Sequence, residues 1–214
     1  ILGVVSFMVF NFFLVPSPFF NKEKEISKTL STLHKILSAG MDHTCFLLDK
    51  NSVKCWGEQI DYISGIEIAS ITSGDSFTCA LLKNGNVYCW MLLAYLFVGK
   101  PGNFSYAGYD AIDVDAGPSI FSNFSLCILT KNESIYCKGY DNNKEASKDW
   151  ELINLGDEKG KPIQISVGGY KILGYEESHL CVLLSNGNVK CIGSNKHGQS
   201  EPYTGGDAIQ ISAG

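Results

Sequence analysis

Thr78-Cys79-Ala80-Leu81-Leu82-Lys83-Asn84-Gly85-Asn86-Val87-Tyr88-Cys89-Trp90 reads as a β-hairpin. Two apolar runs flank Lys83-Asn84-Gly85, a three-residue turn that places Gly85 in the left-handed region to close a bulge. Folding about that turn sets Leu82 opposite Asn86, Leu81 opposite Val87, Ala80 opposite Tyr88 and Cys79 opposite Cys89. If Leu82 and Asn86 form the hydrogen-bonded closing pair, alternation makes Cys79 and Cys89 a non-hydrogen-bonded pair. There the Cα atoms approach to roughly 4.5 Å, within disulfide reach.

The pattern occurs four times. Cys45 and Cys55, Cys79 and Cys89, Cys127 and Cys137, and Cys181 and Cys191 each lie ten positions apart, and every cysteine of the chain belongs to one such pair. Upstream of each pair runs an alternating apolar strand that ends in a small residue and glycine: Ile36–Gly40, Ile71–Gly74, Ile112–Gly117 and Ile163–Gly168, with a fifth copy at Ile209–Gly214. The glycines are spaced 34, 43, 51 and 46 residues apart. A unit of roughly 45 residues with several short strands and a Gly turn suits the blades of a β-propeller, so an all-β fold is expected.

Ser38-Ala-Gly-Met-Asp-His-Thr-Cys-Phe-Leu-Leu-Asp49, Val53-Lys-Cys-Trp-Gly57 and Cys191-Ile-Gly-Ser-Asn-Lys-His-Gly-Gln199 resemble the repeat of the regulator of chromosome condensation family. The shared features are alanine-glycine, a histidine two before the hairpin, tryptophan-glycine, and an asparagine loop ending in glycine-glutamine. The cysteine-paired version is similar to repeats of secreted bacterial and protist proteins and, more loosely, to the ectodomains of crinkly-type plant receptor kinases. The resemblance covers residues 36–214 and implies a partial propeller, about four blades of a ring that has seven when complete.

The net charge of −5 offers no basic face for nucleic acid. Nothing here carries over the chromatin-bound exchange-factor role of the founding family member. Residues 1–17 are apolar without a basic region and end at Pro16 and Pro18. They read as a truncated signal peptide, with a membrane anchor or a buried segment as alternatives; the uninterrupted run of 15 falls short of the ~20 residues that a span needs. Residues 18–35 read as a linker. The chain stops at the end of the first strand of a fifth unit, so a fragment of a longer protein is expected, with two unpaired edges.

For the cysteines, zinc sites draw tight pairs to one ion, and a redox pair would not be repeated four times. Disulfides are expected, each closing an 11-residue loop worth ~2–3 kcal/mol and stapling its own blade without joining blades to one another. Reduced cysteines in a cytosolic propeller are the alternative. His43 and His179 lie two before the first cysteine of their hairpins, where the other copies carry Phe77 and Ser125. A recurring place suggests a hydrogen bond within the blade rather than catalysis. No phosphate loop, Ser/His/Asp order or paired carboxylates stand out, and no cofactor or metal is expected.

Asn103, Asn123 and Asn132 begin N-glycosylation sequons, Asn132 at a hairpin tip where Glu133 replaces the usual glycine. In the second unit Met91-Leu-Leu-Ala-Tyr-Leu-Phe-Val-Gly99 replaces the expected glycine and asparagine. It reads equally as a buried strand or as a gene-model artefact such as retained intron sequence. Glycine and first cysteine are five apart in the first two units, but ten (117 to 127) and thirteen (168 to 181) in the next two. The additions bring Phe121, Phe124, Tyr170 and Tyr175, and variable loops on a rigid repeat often carry binding; idle surface drift is the bland alternative.

Together these imply a non-catalytic secreted or ectodomain propeller that binds a protein or glycan partner, with membrane attachment only through an N-terminal anchor or a further C-terminal segment. The alternatives are an intracellular regulator of a small GTPase or a scaffold, and the non-catalytic part of a receptor kinase or secreted enzyme.

Overall fold

The computed structural model describes residues 36–49, 52–57, 62–65, 67–75, 77–91, 103–106, 110–120, 123–138, 150–172 and 175–214. The segments read above as leader and linker, residues 92–99 of the apolar run, and Phe121 lie outside them. The described residues form fifteen strands and no helix.

The strands make four antiparallel sheets, each a meander whose strands are neighbours in chain order. Blade 1 is β1 (Leu37–Ala39), β2 (His43–Asp49), β3 (Ser52–Gly57) and β4 (Tyr62–Ser64). Blade 2 is β5 (Ile68–Ser73), β6 (Phe77–Leu82), β7 (Val87–Met91) and β8 (Asn103–Tyr106). Blade 3 is β9 (Ala111–Ile120), β10 (Asn123–Thr130), β11 (Ile135–Lys138) and β12 (Glu151–Ile153). Blade 4 is β13 (Pro162–Ile172), β14 (Tyr175–Leu184) and β15 (Val189–Gly193), and Tyr203 takes the fourth place by an antiparallel bridge to Val189. This is a partial β-propeller, all-β.

The register follows from the turns. Leu82 N–H donates to the Asn86 carbonyl at 2.8 Å, Thr130 N–H to Ser134 at 2.9 Å and Leu184 N–H to Asn188 at 2.9 Å. Three rungs from a hydrogen-bonded pair lies a non-hydrogen-bonded one, where side chains stand closest. There Cys79 faces Cys89, Cys127 faces Cys137 and Cys181 faces Cys191, and in blade 1 Cys45 faces Cys55. All four pairs are disulfide-bonded, with Cα atoms 4.0 to 4.1 Å apart.

The hydrophobic core lies between the sheets. Cys45, Val53 and Cys55 of blade 1 pack on Ile68, Ile71, Ala80 and Trp90 of blade 2. Phe77, Cys79, Leu81, Val87 and Cys89 of blade 2 pack on Ala111, Val114, Ala116, Leu126 and Ile128 of blade 3. Cys127, Leu129, Ile135 and Cys137 of blade 3 meet Ile165, Val167, Leu180, Val182 and Leu184 of blade 4. For the disulfides of blades 1, 2 and 3 the expectation that each serves its own blade alone is therefore corrected. The bond closes within one sheet, but alternation turns its sulfurs to the face that the next blade covers, and they fill the junction there.

Candidate functional site

The first strand of each blade faces its counterparts across the middle of the molecule. β1, β5, β9, β13 and residues 211–213 line a cavity of about 240 Å³ whose walls include Ser38, Thr72, Asp115, Gln164 and Ser166. One rung recurs from blade to blade. Ser38 Oγ accepts the N–H of Ser73 at 2.8 Å, and Thr72 Oγ1 accepts that of Ala116 at 3.1 Å. Asp115 Oδ2 accepts that of Val167 at 2.8 Å, and Ser166 Oγ that of Ala213 at 2.9 Å. In every case an oxygen two places before the strand's glycine takes the N–H one place before the glycine of the following strand.

Two carboxylates strengthen the ladder in blade 3. Besides Val167 N–H, Asp115 accepts the hydroxyls of Thr72 (2.9 Å) and Ser166 (3.1 Å). Asp113, buried, accepts the N–H groups of Val114 (3.0 Å) and Ile165 (2.9 Å). Both carboxylates thus serve the scaffold as hydrogen-bond acceptors between strands. Sequence reasoning passed over these residues, although the signal was present: Ser38, Thr72, Asp115, Ser166 and Ser212 align at one position of the repeat.

His43 and His179 are both buried. The Nε2 atom of His43 lies 2.7 Å from Thr78 Oγ1, and Thr78 belongs to blade 2. For His43 the expected bond within the blade is thus a bond between blades, because the histidine shares the face that carries the disulfide, whereas His179 Nδ1 is buried with no hydrogen-bond partner among the described residues. Burial pushes the His43 imidazole below its ordinary value, against a smaller upward pull from Asp42, and burial does the same to His179. Among the described residues no three His, Cys, Asp or Glu side chains group so as to hold a metal ion.

The glycines that end the inner strands behave in two ways. In blades 1 and 2 they close tight connections, Gly40 N–H donating to the His43 carbonyl at 2.8 Å and Gly74 N–H to that of Phe77 at 2.9 Å. A Cβ on Gly40 would stand 2.3 Å from the carbonyl oxygen of Gly74, so the approach of blade 2 requires glycine. In blades 3 and 4 the strands run on through Gly117 and Gly168. The additions expected to be loops are therefore paired strand. Asn123 and Phe124 pair with Ile120 and Ser119, while Gly169, Tyr170, Lys171 and Ile172 pair with Ser178, Glu177, Glu176 and Tyr175. Two hairpins, one from each of two adjoining blades, are lengthened at the same end. Phe124, Tyr170 and Tyr175 sit on these ribbons by backbone position; their side chains and Phe121 fall outside the described part.

The opposite end is formed by the β6–β7, β10–β11 and β14–β15 turns. Each has an asparagine whose Oδ1 accepts the N–H two residues on: Asn84 from Asn86 (3.0 Å), Asn132 from Ser134 (3.4 Å) and Asn186 from Asn188 (3.1 Å). Each then has a residue at positive φ, Gly85 (83°), Glu133 (68°) and Gly187 (77°). Glu133 holds that unusual conformation beside Lys161 of blade 4, whose Nζ donates to Glu133 Oε1 at 2.5 Å.

Residues 35–59, 68–90 and 177–199 match the family profile described as Regulator of chromosome condensation (RCC1) repeat. The three matched segments fall in blades 1, 2 and 4 and are repeats of that type. No curated protein matches the chain in sequence. Among solved structures the fold is similar to that of human WBSCR16, at 17% identity and a TM-score of 0.59, covering 83% of this chain and 55% of that one. It is also similar to Prp20p from Saccharomyces cerevisiae, whose structure was described with its binding properties to Gsp1p and histones. That match has 15% identity and a TM-score of 0.53, over 83% of this chain and 53% of that one. The entire ectodomain of the Physcomitrella patens receptor kinase CR4 aligns over 73% of this chain and 39% of its own, with 20% identity and a TM-score of 0.46. The chain spans about half the length of the first two.

Proposed function

We propose that this chain is a non-catalytic binding module of a secreted or ectodomain propeller, which recognises a macromolecular partner through the two ribbons of blades 3 and 4. The observation that carries this reading is the pair of lengthened hairpins, with the additions at 118–126 and 169–180, on neighbouring sheets of an otherwise uniform repeat. Paired strands hold their main chain in place before binding, which lowers the ordering cost of an interface. Phe121, Phe124, Tyr170 and Tyr175 give the ribbons aromatic residues of the kind that anchor interfaces. A protein partner fits these aromatics best, and a glycan is the alternative. Four disulfides support an oxidising compartment.

The test replaces both ribbons by the tight connection of blade 1 and compares the two proteins against an arrayed set of extracellular proteins and glycans. The expected result is a partner bound by the parent and lost by the shortened form, with all four disulfides and the β-rich circular dichroism spectrum retained. Equal binding by both would place recognition elsewhere. Compartment is checked separately, by alkylating intact cells that express the full reading frame and measuring mass with and without reductant. Free thiols in the cell would favour the intracellular alternative.

A further inference from the structure

Of the three sequons, the one at Asn132 is already held by the fold in an acceptor conformation, at the end of blade 3 remote from the ribbons. Asn132 is exposed at the tip of the β10–β11 turn, between the exposed Lys131 and Glu133. Its Oδ1 accepts the N–H of Ser134, the hydroxyl-bearing residue of its own sequon, at 3.4 Å, and also accepts the hydroxyl of Thr130. Its Nδ2 makes no hydrogen bond among the described residues. Accepting two hydrogen bonds at Oδ1 leaves the nitrogen facing solvent as the amide's unengaged end.

The repeat shows what is particular here. Asn84 and Asn186 make the same turn, but glycine and asparagine follow each of them, and Asn186 spends its Nδ2 on the Lys159 carbonyl. Blade 3 differs by Glu133 for glycine and Ser134 for asparagine, and the serine converts the turn asparagine into a sequon, whose middle place takes any residue but proline. Asn103 and Asn123 instead stand at the first positions of the paired strands β8 and β10, Asn103 opposite Trp90 and Asn123 opposite Ile120.

We propose that Asn132 carries an N-linked glycan. This rests on the secreted reading above, since the donor is a lipid-linked oligosaccharide pyrophosphate of the secretory membrane. In the transfer a bond forms between Nδ2 and the sugar C1. The C1–oxygen bond to the pyrophosphate breaks, the lipid pyrophosphate leaves, and one amide proton passes to a base of the transferase. Phe124 and Thr130, the end of β10 next to the Asn132 turn, are six positions apart, roughly 20 Å of extended chain. The glycan therefore covers the turn end of the junction between blades 3 and 4 and leaves the ribbons open.

The test expresses the whole chain behind a heterologous secretion signal in a eukaryotic host and maps peptide-N-glycosidase F products in heavy-oxygen water, in both the medium and the membrane fraction. The expected result is labelled Asp at position 132, with one glycan lost in both Asn132→Gln and Ser134→Ala and kept in Ser134→Thr. An unmodified Asn132 in chains whose four disulfides have formed would overturn the proposal. Because the signal is supplied, this outcome is independent of the native compartment. Retention of the native chain in the cytosol would instead count against the secreted reading alone.

Discussion

The junction between blades 1 and 2 and that between blades 3 and 4 are built on the same rung, yet with different chemistry. In the first a single hydroxyl, Ser38, accepts one N–H from the neighbouring strand, and the buried His43–Thr78 bond lies beside it. In the second two carboxylates take their place, Asp113 and Asp115, which reach Ile165, Ser166 and Val167 across the junction. The apolar packing and the disulfide at the two junctions are alike. The repeat thus fixes where an acceptor must stand but leaves its identity open. A carboxylate there ties three blades, since Asp115 also takes the hydroxyl of Thr72 in blade 2.

The largest expected effect of a single substitution tests that difference. Asp115→Ala strands two hydroxyls and one N–H in a part-buried place and should cost about 3 kcal/mol, since hydrogen bonds to a charged group contribute ~1.5–3 kcal/mol and orphaned donors add to the loss. Asp115→Asn keeps an acceptor oxygen and should cost less. Urea unfolding without reductant reads both values. If Asp115→Ala costs no more than Ser38→Ala, the carboxylate is no better than the hydroxyl and the contrast collapses.

Next come the disulfides, where the junctions should not differ. Replacing Cys45 and Cys55 together by alanine, or Cys127 and Cys137 together, opens a loop of the same length, worth ~2.8 kcal/mol by chain entropy. Both pairs are buried at a junction, so each double variant also loses packing between blades. Equal losses in urea would show that the junctions differ through their polar groups alone. A clearly larger loss at one of them would assign part of the contrast to the core.

Ser38→Ala is the smaller polar test. It removes one neutral acceptor from the N–H of Ser73 and should cost about 1 kcal/mol. Since Ser38 and Asp115 lie two junctions apart, the double variant should lose the sum of the single losses. A sum that fails would mean that the ladder acts as one unit along the ring.

The hairpins were the most legible part of the chain because their information is local. Lys83-Asn84-Gly85 demands a left-handed residue, the turn sets the closing pair, and the closing pair sets which cysteines meet. What a strand meets in the next blade is not local. The spacing that brought His43 into register with the hairpin could not say that its face is covered by Thr78, thirty-five residues on. The same limit hid the ladder, whose members are polar residues of mixed type and attract no notice until the glycines are aligned. The additions at 118–126 and 169–180 were placed correctly but read as loops. Their glycines and prolines signal turns, whereas pairing across β9–β10 and β13–β14 continues the strands past them.

The last contrast between the junctions is their response to acid, and it rests on His43. Burial holds the folded imidazole below its ordinary value of 6.5. Above that pH both folded and unfolded chains carry the neutral ring, and the contribution to stability is complete. As the pH falls through 6.5 the unfolded chain takes up a proton that the folded chain resists, so stability declines and levels off only below the folded value. His179 is shifted in the same direction and adds to the slope. His43→Phe, the residue that blade 2 carries at this place as Phe77, should flatten the decline in part, and His43→Phe with His179→Phe should flatten it further. Urea midpoints between pH 7.5 and 5, measured with the disulfides intact, give the slope. A slope in the double variant equal to that of the parent would show that acid acts through other groups, and the histidine junction would then be distinguished only by its packing.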